Sequence, residues 1–199
     1  MGFLSDHCTL ALLSADLLSI CNPFDCGHVD LNDFFTKDAQ DYSSQLLGKT
    51  YCFLLDEDPK EIVCAFTISN DSIKANFLPN SRKKKVNKEI PRVKQYKSYP
   101  AVLIGRLGVN DKYKNKGVGR ELMNFIKSWF IDAENKTGCR FVVVDSYNEE
   151  VPLAFYQRNG FQFLFSTINQ EKEYMGLSED YTLKTRLMYF DLILLSSEG

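Results

Sequence analysis

A run of apolar residues, a glycine-containing turn and an amphipathic helix follow one another in the middle of this chain of 199 residues. Residues 101–109 are nearly all apolar, as in a strand that is covered on both faces. Beyond Gly117, apolar residues recur at helical spacing and predict a helix over residues 117–134. The apolar residues 141–144 predict a second buried strand. Strand, helix and strand at these lengths indicate a βαβ unit, whose crossover should be right-handed.

The flanking sequence predicts further helices and strands, and so a protein of the α/β class. Apolar residues at helical spacing predict a helix over residues 30–47. Residues 50–55 and 61–69 are rich in Val, Ile, Phe and Thr, and the acidic, proline-containing turn between them predicts an antiparallel hairpin. A short helix should end at Asn159-Gly160, and residues 185–195 predict a long final strand.

The composition is that of an ordinary globular protein, with 44% hydrophobic and 25% charged residues. A chain of this length can bury the core of one α/β domain, so we expect residues 1–199 to form a single domain. The formal net charge of -2 argues against a protein whose whole surface binds nucleic acid. A local basic surface is compatible with that charge, because the field depends on where the charges lie.

Cysteine spacing and the first apolar run argue against a metal site, an export signal and a membrane span. The six cysteines include no Cys-x-x-Cys pair, which favours reduced thiols. A zinc site built from Cys21, Cys26 and His28 would need a fourth ligand, and its spacing fits no standard metal hairpin, so we predict no metal. The apolar run over residues 8–20 is interrupted by Asp16 and follows no basic residue. We therefore expect a soluble, cytoplasmic protein.

The glycines at 117 and 119 lie where a buried strand leads into a helix, which is a suitable place to bind a pyrophosphate. Glycine lets the backbone approach an anion, and the first turn of a helix offers unpaired N–H groups and a partial positive charge. The dinucleotide fingerprint fails because Leu122 replaces its third glycine. The nucleoside-triphosphate loop fails because Gly48-Lys49-Thr50 leads into a strand and Ser43 replaces the first glycine. A simple tight turn explains the two glycines equally well.

Residues 81–97 form a basic run without an apolar period. The basic residues of the run are Arg82, Lys83, Lys84, Lys85, Lys88, Arg92, Lys94 and Lys97. Such a run is typical of a solvated loop. The alternative is a contact surface for phosphates or another acidic partner, because clustered Lys and Arg attract polyanions.

Two motifs resemble those of the GNAT superfamily of acyl-CoA N-acyltransferases. Lys114-Asn115-Lys116-Gly117-Val118-Gly119 is similar to the signature Arg/Gln-x-x-Gly-x-Gly/Ala, with Lys114 replacing Arg or Gln. Leu153-Ala154-Phe155-Tyr156-Gln157-Arg158-Asn159-Gly160-Phe161 resembles the Phe-Tyr-x-x-x-Gly-Phe helix end of the family. The resemblance implies a GNAT-type domain with a central mixed, mostly antiparallel twisted sheet, splayed parallel fourth and fifth strands, and helices on both faces.

The resemblance also implies acetyl-CoA as co-substrate. Its pantetheine arm should lie along the fourth strand, its pyrophosphate on the glycine loop, and the Val109 amide should polarise the thioester carbonyl. The cofactor-binding residues implied in this way are Leu107, Gly108, Val109, Lys114, Asn115, Lys116, Gly117, Val118, Gly119, Arg120, Asn148, Phe155 and Tyr156. Val109 and Tyr156 are the catalytic residues implied.

Tyr156 matches the position of the tyrosine that protonates the departing CoA thiolate in this family. Packing of an amphipathic tyrosine is the alternative role for this side chain. Asn148 resembles the polar residue that bonds the pantetheine amide, but it lies eight residues before Tyr156, one more than usual, so Glu149 is an alternative. No general base is identified; Asp145 and Glu149 are candidates, and water or the free amine would suffice.

Residues 24–35, 99–109 and 186–192 resemble the acetyltransferase toxins of bacterial toxin–antitoxin modules, which acetylate the α-amine of aminoacyl-tRNA. This resemblance implies a basic tRNA surface, a small DNA-binding antitoxin as partner, and a homodimer as a further expectation. The substrate-binding residues implied are Arg106, Arg82, Lys83, Lys84 and Lys85. A protein or small-molecule amine is the alternative acceptor, and an acyl-CoA-binding regulatory module is the non-enzyme alternative.

Overall fold

The computed structural model describes residues 2–88, 90–92 and 96–196. Within this part of the chain, seven strands form one sheet. The strands are β1 Cys8–Leu12, β2 Lys49–Leu55, β3 Ile62–Ile73, β4 Tyr99–Val109, β5 Phe141–Tyr147, β6 Gln162–Phe163 and β7 Thr185–Asp191. The α-helices are α1 Phe3–His7, α2 Ala15–Ile20, α3 Val29–Asp33, α4 Ala39–Ser44, α5 Asn80–Val86, α6 Val118–Ile131, α7 Glu150–Arg158, α8 Ile168–Met175 and α9 Ile193–Ser196.

The order of the strands is β1-β2-β3-β4-β5-β7-β6. The pairs β1–β2, β2–β3, β5–β7 and β6–β7 are antiparallel. Strands β4 and β5 are parallel and are connected through α6, which confirms the βαβ unit and the mixed, mostly antiparallel sheet. No helix among the described residues has the length and apolar character needed to cross a bilayer.

Contacts divide the chain into two compact units. The first unit contains Met1–Ser69 and Ile104–Trp129, and the second contains Asn70–Leu103 and Phe130–Gly199. The division falls within β3, β4 and α6, so each of these elements contributes to both units.

The core of the first unit lies between the β2–β3 hairpin and a helical segment that begins at Val29. This segment runs from α3 through a π-helical turn, Phe34–Asp38, into α4. Phe35 is buried in the turn and meets Phe24 edge to face, with ring centroids 5.5 Å apart. The structure confirms the predicted helix over 30–47 but ends it at Ser44, because Leu46 has a left-handed φ of 59°.

The core of the second unit is built on the β5–β7 pair. Phe141, Val143 and Tyr189 are buried in it, and the rings of Phe141 and Tyr189 lie 5.8 Å apart. The Glu171 carboxylate of α8 is fully buried, and it accepts hydrogen bonds from Arg186 Nε at 2.7 Å and from the Leu187 N–H at 2.5 Å. A buried charge is tolerated only when it is paired in this way, so these bonds fix α8 on β7.

Two sequence-based predictions were wrong in detail. The predicted strand over 185–195 ends at Asp191, because the Asp191 carboxylate accepts the Ile193 N–H at 3.2 Å and the chain then turns into α9. The basic run 81–97 is not simply a loop, because it begins inside α5, whose Val86 is buried. Lys94 lies outside the described residues.

The Glu171–Arg186 pair yields a prediction for stability. We expect Glu171→Gln to lower the free energy of unfolding by about 3–5 kcal/mol, because it leaves the Arg186 guanidinium buried without its counter-charge. Glu173→Gln, an exposed carboxylate on the same helix, should change it by less than about 0.5 kcal/mol. Urea unfolding of both variants measures the difference. Equal stability of the two variants would contradict the role given to the buried pair.

Candidate active site

A buried carboxylate fixes the end of β4 in the first unit. Glu61 is 4% exposed and accepts hydrogen bonds from Lys112 Nζ at 2.8 Å and from Asn22 Nδ2 at 3.2 Å. Asn110 Nδ2 lies 3.4 Å from the same carboxylate and donates to the Ile62 carbonyl at 3.0 Å. Because these bonds satisfy a charge that is costly to bury, the chain must leave β4 at one defined position.

Lys114 connects the loop that follows β4 to a turn far away in the sequence. Its ammonium lies 2.6 Å from the Asp111 carboxylate and donates to the Cys26 carbonyl at 2.6 Å. The Asp111 N–H also donates to the Asp25 carbonyl at 2.9 Å. The ammonium is thus directed at protein acceptors, so any contribution of Lys114 to phosphate binding comes through its main chain or the shape of the loop.

The turn that receives Lys114 is itself closed by polar side chains. Asn32 accepts the Cys26 N–H at 2.9 Å and donates to the Asp25 carboxylate at 2.7 Å, and Gly27 has a φ of 69°. The Cys26 thiol is buried, and this burial raises its pKa, so it is a neutral packing group. A Cβ at Gly108 of β4 would lie 3.1 Å from the Cys26 Sγ, so glycine is needed there for close packing.

The glycine loop, residues 114–119, presents its amides at the start of α6. Asn115 and Gly117 have left-handed φ angles of 59° and 87°, a conformation that glycine adopts without strain. A Cβ at Gly117 would meet only Glu121 Oε1, at 4.0 Å, so the space beside the loop is open. The helix bonding begins with the Arg120 N–H donating to the Gly117 carbonyl at 3.0 Å. Among the described residues, the N–H groups of residues 116–119 therefore have no backbone acceptor.

The charges around the glycine loop suit an anion. Lys116 is exposed, with its Nζ 5.5 Å from the centre of the Tyr113 ring, and Arg120 is exposed on the first turn of α6. The Glu121 carboxylate accepts the Leu4 N–H at 2.8 Å, which partly offsets its negative charge. Unpaired amides, a helix N-terminus and two cations form a donor set that fits a pyrophosphate. The loop therefore fits the diphosphate of a CoA ester.

The strand before the loop contains the other predicted residues of the first unit. Leu107 and Val109 are half-buried, and Gly108 is buried between them. Arg106 is exposed; its Nη1 donates to the Gly105 carbonyl at 2.7 Å and its guanidinium lies 5.1 Å from the Phe34 ring. These two contacts hold the Arg106 guanidinium in one orientation at the surface of the first unit.

Tyr156 lies on α7 in the second unit, between two aromatic rings. Its ring is 5.2 Å from that of Phe155 and 5.4 Å from that of Phe161. Helix α7 ends through Gly160, with a φ of 83°, and the Phe161 N–H donates to the Tyr156 carbonyl at 3.0 Å. A Cβ at Gly160 would lie 3.0 Å from the Phe190 ring, so packing also requires glycine there.

Burial raises the pKa of Tyr156 above the ordinary value of a tyrosine. The residue still retains some exposed surface. The phenol therefore keeps its proton at neutral pH and can donate it, which is the property required of a general acid.

The polar residues before α7 have different environments. Asn148 Nδ2 donates to the Leu183 carbonyl at 3.0 Å, and the Asn148 N–H donates to the Lys184 carbonyl at 2.9 Å. This side chain is thus oriented by the protein itself. Asp145 and Glu149, the two candidate bases, are both exposed, and Glu149 is the N-cap residue of α7.

The basic run divides into an anchor and a surface. Arg82 donates from Nε to the Leu164 carbonyl at 2.7 Å and from Nη2 to the Phe163 carbonyl. Its guanidinium is therefore bound to the main chain of the second unit. Lys84 and Lys85 are exposed and Lys83 is half-buried. The lysines of α5 are therefore better candidates for a substrate contact than Arg82, whose guanidinium is already bound by the protein.

Sequence reasoning missed the residues that position the glycine loop. Asp111 and Glu61 were not singled out, and the Cys26 carbonyl is 88 positions from Lys114. One local signal was present: the Asn110 side chain accepts the Lys112 N–H at 3.1 Å, the capping pattern expected of Asn ahead of a helical turn. No group of three or more metal-ligating side chains occurs within the described residues.

The chain belongs to the GNAT acetyltransferase family. The family model "Acetyltransferase (GNAT) domain" matches residues 49–163, which is more than half of the chain and includes both motifs, residues 114–119 and 153–161. The protein is accordingly an acetyl-CoA-dependent N-acetyltransferase.

Solved structures with a similar fold cover nearly the whole chain. AtaT complexed with acetyl-methionyl-tRNAfMet is 21% identical, with a TM-score of 0.66 over 96% of this chain and 98% of that chain. A tyrosine-to-phenylalanine mutant of KacT is 18% identical, with a TM-score of 0.66 over 98% and 100%. AtaTR bound with AcCoA is 21% identical, with a TM-score of 0.65 over 97% and 98%. At these identities the likeness is one of fold.

The contacts of Lys114 yield a prediction for cofactor binding. We expect Lys114→Met to weaken acetyl-CoA binding about tenfold, since the loss of a charged hydrogen bond loosens the loop that presents the amides. Calorimetric titration with acetyl-CoA measures this change. Lys37→Met, which removes the exposed Lys37–Asp33 ion pair in the same unit, is the control and should bind like the wild type. Unchanged affinity in Lys114→Met would refute the positioning role.

Proposed function

We propose that this acetyltransferase transfers the acetyl group to the α-amine of aminoacyl-tRNA. The observation that carries the proposal is the segregation of charge along the chain. Residues 72–98, named here the basic segment, contain nine of the 24 Lys and Arg residues but one of the 26 Asp and Glu residues. The rest of the chain is therefore strongly acidic, and a polyanion would be attracted to one surface and repelled elsewhere.

The lysines of α5 support this assignment. Helix α5 is anchored by the buried Val86 and by the Arg82 bonds to the main chain, which leaves Lys84 and Lys85 at the surface. A fixed helix with adjacent exposed lysines suits the phosphates of an RNA backbone, because its cations need little ordering on binding. The known complex of AtaT with acetyl-methionyl-tRNAfMet is consistent with such an acceptor.

The residues of the first unit would bind the donor. Acetyl-CoA supplies the acetyl group as an activated thioester. We assign its diphosphate to the amides of residues 116–119 with Lys116 and Arg120, and its pantetheine arm to the main chain of residues 107–109. The Val109 amide would donate to the carbonyl oxygen on which negative charge develops. We also assign Asn148 and Phe155 to cofactor binding.

Tyr156 would act as the general acid. The departing sulfur is a thiolate, and a phenol that remains protonated can neutralise it. The raised pKa of Tyr156 ensures that the proton is present at physiological pH.

The chemistry of an α-amine fits this machinery. The pKa of an α-amino group is about 7.7–8.0, so an appreciable fraction is neutral and nucleophilic at physiological pH without a strong base. A lysine ε-amine, with a pKa of about 10.4, would need one. Asp145 or Glu149 could accept the proton that the amine releases after attack.

AtaT bound to the C-terminus of AtaR and the KacTA–DNA complex are known structures with a similar fold. We propose that this chain likewise has a small DNA-binding antitoxin as partner, forms a homodimer, and acts in the cytoplasm, where aminoacyl-tRNA is found. We further propose that residues 1–199 work as one acetyltransferase domain.

The acceptor is tested by supplying radiolabelled acetyl-CoA with aminoacyl-tRNA, a peptide or a polyamine in parallel reactions. We expect label in the aminoacyl-tRNA and in neither of the other acceptors. Uncharged tRNA is the control, because it offers the same phosphates without the α-amine. Labelling of the peptide or the polyamine alone would replace the proposed acceptor by a protein or a small amine.

The basic surface is tested by reversing charge at two sites. Lys84→Glu combined with Lys85→Glu should lower kcat/KM for aminoacyl-tRNA at least about tenfold. It should also reduce the slope of log affinity against log salt concentration by the equivalent of about two phosphate contacts. Lys60→Glu combined with Lys136→Glu changes the net charge equally at exposed positions outside the basic segment and is the matched control. Equal losses in the two variants would show a general field effect and contradict a local surface.

The general acid is tested by Tyr156→Phe, which preserves the ring contacts but removes the proton. We expect kcat to fall about 10²–10⁴-fold with acetyl-CoA affinity unchanged. Because burial raises the pKa of Tyr156, the wild type should keep its kcat up to about pH 10, where an ordinary tyrosine is half ionised. Tyr181→Phe, at an exposed site, is the control. An undiminished kcat in Tyr156→Phe would remove this residue from the mechanism.

A further inference from the structure

Two aromatic side chains in the basic segment are exposed. Phe77 is 69% exposed in the 3-10 turn Ala75–Phe77, and Tyr96 is 48% exposed just before β4. Neither residue is among the buried residues of the second unit's core, and the mechanism proposed above uses neither ring. An exposed aromatic ring is ordinary when isolated, so its surroundings decide whether it has a role.

The position of Phe77 at the surface is determined by its neighbours. Ala75 is fully buried and Leu78 is 5% exposed, and both belong to the core of the second unit. The turn is closed by the Phe77 N–H, which donates to the Lys74 carbonyl at 3.2 Å. Rotating the turn to bury Phe77 would expose Ala75 and Leu78, so the ring must face solvent.

The segments that carry the two rings are neighbours in space. The Asn76 N–H donates to the Lys97 carbonyl at 3.3 Å, so residues adjacent to Phe77 and Tyr96 are joined by a main-chain hydrogen bond. The Tyr96 ring also packs on Tyr99, a buried residue of β4, with ring centroids 5.8 Å apart. Lys74 and Lys97 are both exposed and immediately flank this pair of segments.

One kind of ligand would bind both the exposed rings and the lysines beside them. Bases of single-stranded RNA stack on aromatic faces while lysines contact the adjoining phosphates. Duplex RNA, an acidic peptide or a polyphosphate would satisfy the lysines but leave the rings unused. From this combination we propose that Phe77 and Tyr96 form a stacking site for unpaired RNA nucleotides. The proposal rests on the proposed function, for which it defines the part of the RNA that is recognised.

The test measures binding of a fluorescent single-stranded RNA ending in CCA and of a duplex of matched length. Phe77→Ala and Phe77→Leu should each weaken binding of the single strand about tenfold, since both remove the aromatic face. Phe77→Tyr should restore binding. The duplex should bind all variants alike, and the salt dependence should stay that of the wild type, because no phosphate contact is lost. Tyr96→Ala should have an effect of similar size.

Tyr181→Ala removes an aromatic residue of the second unit that is 43% exposed and lies outside the basic segment. It should bind the single strand like the wild type. The urea midpoint is measured for each variant. If Phe77→Ala is destabilised, RNA binding by Phe77→Leu is the measurement that tests the stacking site. Wild-type affinity in Phe77→Leu, or equal losses for single strand and duplex, would overturn the stacking site.

The transfer assay separates this inference from the proposed function. If the wild type acetylates aminoacyl-tRNA and Phe77→Leu binds RNA normally, the stacking site is refuted and the acceptor stands. If aminoacyl-tRNA receives no label while Phe77→Leu no longer binds the single-stranded RNA, the stacking site is supported and the proposed acceptor is refuted.

Discussion

The Glu61 carboxylate is buried next to the point where β4 ends, and the geometry of the glycine loop depends on it. A buried charge must be matched, and Lys112 and Asn110 match it from the loop while Asn22 does so from a distant segment. Lys114 then joins the loop to the Asp25–Gly27 turn. The backbone that presents the amides of the glycine loop is thus fixed on its N-terminal side before any ligand arrives. This lowers the loss of conformational entropy that accompanies binding.

The two contacts of the Lys114 ammonium explain why a lysine can stand where the family signature has Arg or Gln. The side chain at position 114 donates to a carbonyl and pairs with Asp111, so its role is to shape the loop. A single ammonium can meet both acceptors, and the main-chain amides of the loop do not depend on side-chain identity. A departure at the first position of the signature is therefore compatible with a well-ordered loop.

Much of the fold could be predicted because local patterns carry it. The apolar period gave α6, and runs rich in Val, Ile, Phe and Thr around an acidic turn gave the β2–β3 hairpin. Gly117 and Gly160 marked turns that require left-handed φ angles. What could not be predicted depends on residues distant in sequence. Helix α5 forms inside a run of charges because Arg82 bonds carbonyls more than 80 positions away, and α8 is fixed by the burial of Glu171. Similarly, the two family motifs could be found in the sequence, whereas the partners of Lys114 could not.

The two kinds of basic residue in α5 should tolerate change differently. Arg82 donates to two carbonyls at once through a planar guanidinium, a geometry that an ammonium cannot reproduce. Lys84 and Lys85 present only charge, which Arg supplies equally well. Over evolutionary time the surface lysines can therefore drift between the two basic residue types and even move along the helix, while position 82 is constrained by the architecture. The basic residues of α5 look alike in the sequence, but Arg82 has a structural role whereas Lys84 and Lys85 are interchangeable with arginine.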